Sequence, residues 1–489
     1  MLSDGVEDAA KGANRVSDRA NQISLWAGML GLCFFPLSIS LSQGFLAVAL
    51  VALLFRVRWS GTTAWTADFR RVIILVLLLY GSWFVSAALH ALIEGSVSPL
   101  RAALRSDLKD VWLVGTAVWV YHHGTVSERH RTLLLRAVAV AFFIVIGTGF
   151  LSVFTPFRLS KALYHLQHGL NFSSEARLQH PMFTLPFDIM LYMPVGMLGT
   201  HLAYGAQLGF FFIPLALYVL NRWVQRPWFR SWQLADWVPT LLLGIASLVL
   251  ILNNARSALF GVLSALLAGI FFLIYRKWKR RAWTLAPVPV LLLIVAVIVT
   301  VADADVREFL MQSVGLEKKH SDYQRVMLWS TASQLALDHP VIGVGPGRFS
   351  ETVADRMHET AADRPYLWYL YMQTERGHAH NDFLHNMTAA GLPAGLLFLL
   401  FWSALLGLAA GNAGDSDDRF SSTTTDAAAS EPSLDRMLVT MRPYLPYMPL
   451  LLFAGGIFQC YFLDDQVLTP FWMSVGLAAL ARKAETSMG

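Results

Sequence analysis

The stretch "RGHAHNDFLHNMTAAG", Arg376 to Gly391, sets three histidines and two asparagines against the apolar run "LPAGLLFLLFWSALLGLAAG". Asn381 and Asp382 are helix-capping residue types, so a helix is predicted to begin there. His380 then precedes the positive end of that helix, a place that disfavours imidazolium. A neutral imidazole near pH 7 is what a general base needs. A capping or packing histidine is the plainer alternative for any one His taken alone. On a helix His378 and His380 would diverge by about 200°; in an extended segment they would point the same way. His380 and His385 are spaced by five, whereas zinc-binding helices space their histidines by four, so a metal reading is weak.

Arginines supply the complementary chemistry. Arg256, in "LNNARSA", stands between two apolar runs. Arg at a membrane boundary is costly unless paired or wet, which makes it a functional candidate. Snorkelling anchors are the alternative, but they come in clusters and this Arg is alone in its turn. Arg325 starts "QRVMLWSTASQLALD", whose apolar spacing predicts an amphipathic helix with Trp329 one turn on. A phosphate there would also meet the unpaired N–H groups of the first helical turn. "GVGPGRF" resembles a phosphate loop but lacks the following Lys-Ser/Thr and the preceding strand, so a tight turn is predicted. Asp303 and Asp305 in "ADAD" could hold Mg²⁺, yet a helix end reaching water explains them as well. Arg177 and Lys161 are weaker candidates for anion contact.

The elements that must position these residues are those of a membrane bundle. The 489 residues are 55% hydrophobic and 15% charged, with mean hydropathy +0.49. Soluble domains carry roughly a quarter charged residues. Apolar runs of spanning length (roughly 20 residues) recur from end to end, which predicts an all-α, polytopic bundle and excludes a β-barrel. About twelve spans are predicted by the hydropathy window, near 23–40, 43–56, 72–92, 108–121, 133–154, 188–220, 236–252, 257–275, 284–302, 392–410, 439–459 and 466–481. Cys33 and Cys460 lie in or beside apolar runs and read as small buried hydrophobes. The polar start, 1–22, lacks the apolar core and cleavage site of a signal peptide.

Four short basic loops follow spans two, four, six and eight, and such loops stay cytoplasmic. Both termini are then cytoplasmic, and 155–187, 252–258 and 303–391 face outward. "EGSVSPLRAALRSDLKD" is the exception, a basic outer loop read as an amphipathic interfacial helix. The expected organisation is a cytoplasmic segment 1–22, spans one to nine over 23–302, and one large outer loop region 303–391 carrying the catalytic residues. Span ten follows at 392–410, then a Ser/Thr/Asp/Ala-rich flexible linker at 411–437, and spans eleven and twelve within 438–489.

"NNARSALFG", "QRVMLWSTASQLALDHPVIGVGPGRF" and "HAHNDFLHNMTAAGLPAGLLFL" resemble, in order and spacing, the signature segments of the O-antigen ligase and polymerase superfamily. The matching residues are Arg256; Arg325 with Trp329; His339-Pro340 with Gly343 and Gly345; and His380-Asn381 with Leu384. His378 departs from the pattern, which leaves open which histidine is the base. Span count and loop length are most similar to the lipopolysaccharide O-antigen ligases. The resemblance implies a GT-C-like, inverting, metal-independent glycosyltransferase in the bacterial inner membrane, with its site facing the periplasm and no cofactor. Its donor would be an undecaprenyl-diphosphate-linked O-antigen and its acceptor lipid A-core; membrane lipid surrounds it, and nucleic acid is not an expected partner. Arg256, Arg325 and Arg177 would hold the diphosphate, His380 or His378 would be the base, and Asn381 and Trp329 would support them. An O-antigen polymerase or a protein O-oligosaccharyltransferase would use the same donor. A lipid-linked glycan transporter is the rival from another class, but the charge gathers outside the spans.

Overall fold

The computed structural model describes residues 2–56, 65–161, 179–225, 234–278, 320–362, 368–369, 371–372, 374, 376–410 and 440–488. Helices dominate: α1 Leu2–Phe34, α2 Ile39–Arg56, α3 Ala67–Ile93, α4 Ser98–Arg105, α5 Val114–Val126, α6 Glu128–Val153, α7 His201–Gln225, α8 Leu234–Asn253 and α9 Arg256–Trp278. They continue as α10 His320–Asp338, α11 Phe349–Ala361, α12 Asp382–Ala390, α13 Leu392–Ala410, α14 Leu451–Gly455 and α15 Asp465–Met488. Among the described residues, six helices are long and apolar enough to cross a membrane: Ala67–Ile93, Glu128–Val153, His201–Val224, Asp236–Asn253, Arg256–Ile274 and Leu392–Ala410. The expected ninth span, 284–302, and the whole 411–437 linker lie outside the described residues, as do Arg177, Asp303 and Asp305.

Three features differ from the sequence-based expectation. The fold is not wholly α: β1 (Pro181–Leu185) and β2 (Ile189–Tyr192) form an antiparallel hairpin. The run 188–220 is accordingly not one span. Pro194 and Gly196 (φ 54°) interrupt it, and the helix starts only at His201. The predicted eleventh span, 439–459, is a 3-10 helix, Arg442–Leu450, followed by the short α14. Its prolines, Pro443, Pro446 and Pro449, recur every three residues. Each removes an α-helical donor, and a period of three matches the 3-10 turn.

Helix α7 is the hub of the bundle, with 94% of its apolar window buried. At one end of the bundle the connections fold over one another. The Gly343–Gly347 turn wedges between α4 and α12, with Gly343 at φ 65°, Gly345 at 97° and Gly347 at 80°. The N–H groups of Val344 and Gly345 donate to the carbonyls of Thr388 and Ala389, at 2.9 and 3.0 Å. They thus satisfy acceptors that the last turn of α12 would otherwise leave open. The Gly347 N–H donates to Asp107 Oδ2 at 2.8 Å, His90 Nε2 lies 3.1 Å from the Gly343 carbonyl, and Arg348 pairs with Glu94. This turn is a structural wedge, held by its backbone on several sides.

Candidate active site

Helix α12 positions the histidines. Asn381 is its N-cap, and Asn381 Oδ1 accepts from the Leu384 N–H at 2.8 Å. The residue before it, His380, has φ 49°. A non-glycine residue in the left-handed region carries strain that the surroundings must hold in place, a feature that concentrates at functional sites. His380 Nδ1 lies 2.8 Å from Gln459 Oε1. An amide oxygen only accepts, so Nδ1 carries the proton and the basic lone pair is on Nε2.

His378 is arranged the other way round. The His380 backbone N–H donates to His378 Nδ1 at 3.3 Å, and the two rings are 4.3 Å apart. Its proton therefore sits on Nε2. Burial, with the nearby His380 and His385 rings, pushes His378 down to about 3. It stays neutral at physiological pH and is a weak base. His385 is a packing residue: it is buried against Phe349, with ring centroids 4.7 Å apart, and 3.9 Å from Asp107.

The segment 456–463 ties the site together. The Asp382 N–H donates to the Gly456 carbonyl at 2.7 Å. The Asp382 carboxylate accepts from the N–H groups of Tyr461 and Phe462, at 3.2 and 3.1 Å. Full burial pushes this carboxyl well above its usual range, and the two N–H groups pull against that shift. Tyr461 Oη is 2.7 Å from Ser257 Oγ, beside Arg256 at the start of α9. Arg325 acts through its charge on both Tyr461 and His201. Trp329, one turn further along α10, packs against Phe458 with centroids 6.2 Å apart. Trp329 Nε1 is buried with no hydrogen-bond partner among the described residues.

His378, His380 and Asn381 thus share one turn, and Arg325 and Trp329 share one helix. Both groups meet the segment that also holds Ser257, the residue next to Arg256. Lys161 is exposed and takes no part in this arrangement. The arrangement can hold an anion with guanidinium groups and withdraw a proton at an imidazole Nε2. Gln459, Tyr461 and the scaffolding role of Asp382 were missed from sequence. The one available signal was the polar interruption "QCYFLDDQ" in an otherwise apolar run.

Residues 241–399 match the family model described as O-antigen ligase. Over that third of the chain the sequence is similar to the O-antigen ligase family. No curated protein matches it. The O-antigen ligase segment contains Arg256, Arg325, Trp329, His378, His380 and Asn381, whereas Gln459 and Tyr461 fall beyond it. The family is one of membrane glycosyltransferase-type enzymes, and the six apolar helices agree with a membrane protein.

Proposed function

We propose that this protein is an O-antigen ligase, a glycosyltransferase of the inner membrane whose site faces the periplasm. It would move polysaccharide from undecaprenyl diphosphate to a hydroxyl of lipid A-core. His380 Nε2 takes the proton of the acceptor hydroxyl as that oxygen attacks the anomeric carbon. The bond from that carbon to the diphosphate oxygen breaks on the opposite face, so configuration inverts. The lipid diphosphate leaves with growing negative charge. Arg256 and Arg325 stabilise it with permanently charged planar forks, a task that many transferases give to Mg²⁺. His378 receives the His380 N–H and so orients the base; Asn381 caps the helix behind it, and Trp329 backs Arg325. Arg177 is a further candidate for the diphosphate.

The observation that supports this reading is the Gln459 contact, which leaves the His380 lone pair on Nε2, at a segment that also touches Ser257, the neighbour of Arg256. The test is to mix the purified protein with undecaprenyl-diphosphate-linked O-antigen and lipid A-core. Joined product that persists in EDTA is expected. Elongated donor without use of lipid A-core would make the protein a polymerase, and loss of activity in EDTA would return Asp303 and Asp305 to the site as metal ligands.

A further inference from the structure

A cavity of about 560 Å³ opens beside the Arg256 turn, lined in part by Arg158, Gln179, His180 and His201. It lies between the end of α6 and the start of α7, with the base of the hairpin in its wall. Asn253 stitches it to the α8–α9 turn: its Nδ2 donates to the carbonyls of Pro194 and His201, at 2.7 and 2.9 Å. One donor of Arg158, Nη1, is anchored on the Gly199 carbonyl at 2.9 Å. The rest of its fork faces a site whose described lining contains no carboxylate. His180 and His201 line the same cavity as Arg158, so an anion there would meet one permanent positive charge with two imidazoles beside it.

Gln179 narrows the choice of anion. Its Nε2 donates to the Ser152 carbonyl at 3.1 Å, which fixes the amide and leaves Oε1 as an acceptor. That Oε1 has no partner among the described residues, although Gln179 is only 5% exposed. A buried acceptor without a donor is costly. A phosphomonoester dianion has no proton of its own to offer it, but the sugar that carries it brings a hydroxyl or an amide N–H.

The hairpin adds the third property. It leaves the cavity at His180 and Pro181 and carries Phe183, Leu185, Ile189 and Met190, all exposed, with Phe187 at its tip 95% exposed. Phe187 and Asp188 reach that turn with φ of 68° and 56°. Exposed aromatic and aliphatic side chains on a narrow ribbon suit acyl chains better than water.

We infer that this cavity is the headgroup subsite of the lipid acceptor, taking a phosphorylated sugar on Arg158, His180, His201 and Gln179 while the hairpin lies against its acyl chains. The assignment to the acceptor rests on the function proposed above, in which Arg256 and Arg325 hold the donor diphosphate.

The test reads binding directly. Native mass spectrometry of the detergent-solubilised full chain would use three probes: lipid A-core, its enzymatically dephosphorylated form, and undecaprenyl diphosphate. Arg158→Gln is expected to weaken lipid A-core binding roughly 10-fold or more. Wild type should show a similar loss with the dephosphorylated probe, and undecaprenyl diphosphate should bind both proteins equally. Gln179→Ala and Phe187→Asp supply further variants, each expected to weaken lipid A-core alone. Weakened undecaprenyl diphosphate binding, or unchanged binding of both lipids, overturns the subsite. Phosphate-dependent lipid A-core binding without glycan transfer would leave the subsite standing and sink the proposed reaction. Transfer insensitive to Arg158 would do the reverse.

Discussion

Gln459 Oε1 lies 2.8 Å from His380 Nδ1, although 79 residues separate them. The contact selects the tautomer, and the tautomer decides which nitrogen can act as a base. Gln459→Leu removes the acceptor and frees the ring to protonate at either nitrogen. Transfer should fall by roughly 10² in kcat, the lower range of a general-base contribution, with little change in KM. Gln459→Glu keeps an oxygen at the same place and should recover much of the rate. Its carboxylate favours imidazolium, so the low-pH limb of the pH–rate profile should move upward. Steady-state kinetics of the two variants across pH would check this, and a Leu variant with wild-type kcat would reject the tautomer argument.

Arg256 and Arg325 stand on different helices, α9 and α10, and under the proposed function each should matter independently of folding. Alanine at either position should cost about 10²–10³ in kcat, the scale of a lost transition-state donor. Lysine keeps the charge but not the planar fork, so rescue should be poor. Arg256→Lys with full activity would reduce that residue to a point charge at the boundary. Silver-stained lipopolysaccharide gels from complemented cells, beside membrane-fraction immunoblots, separate lost chemistry from lost protein.

Much of the local structure that carries the candidate residues was legible because its signals are local. The Asn381 cap, the turn glycines and Arg256 at a helix start each follow from a few adjacent residues. The closing segment was not legible. "RPYLPYMPLLLFAGGIFQCYF" scores as a span because a hydropathy window counts apolarity and ignores proline period. The turn that follows its 3-10 helix and α14 brings Gln459 to His380 and Tyr461 to Ser257. Such contacts join residues 79 and 204 positions apart, which no periodicity encodes. The hairpin escaped for a related reason. "FTLPFDIMLYM" is as apolar as the helix that follows, and Phe187 and Asp188 supply a left-handed turn without glycine.

Half-buried His378 makes the folded state sensitive to acid. Its folded value is depressed to about 3, against about 6.5 in an unfolded chain. Below about 6.5 the unfolded state binds the proton and the folded state does not, so stability falls as pH falls through that window. The neutral-histidine contribution is complete above about 6.5 and is lost progressively toward about 3, by at most about 1.4 kcal/mol per pH unit. His378→Gln should therefore flatten the decline of melting temperature between pH 6.5 and 4.5, and should lower kcat less than His380→Ala. Parallel melting curves of wild type and variant across that range would remove His378 as the source.

The glycine turn that braces α12 gives a test of position by backbone alone. A Cβ on Gly343 would lie 2.5 Å from the Ala389 carbonyl carbon and 2.6 Å from its oxygen. Backbone cannot rotate aside as a side chain can, and φ of 65° is already unfavourable for alanine. Gly343→Ala should destabilise by about 2 kcal/mol or more, the range of strain at a special backbone position. Gly147 is the control: it sits within α6, and a Cβ added there would meet nothing within 4 Å. Gly147→Ala should be neutral or stabilising by up to about 1 kcal/mol through helix propensity. The turn donates to the last carbonyls of α12, whose other end carries Asn381 and His380. Gly343→Ala should therefore also lose activity at temperatures where the protein is still folded. A variant that melts early yet keeps full kcat below its transition would show that the wedge stabilises the bundle without aligning the base.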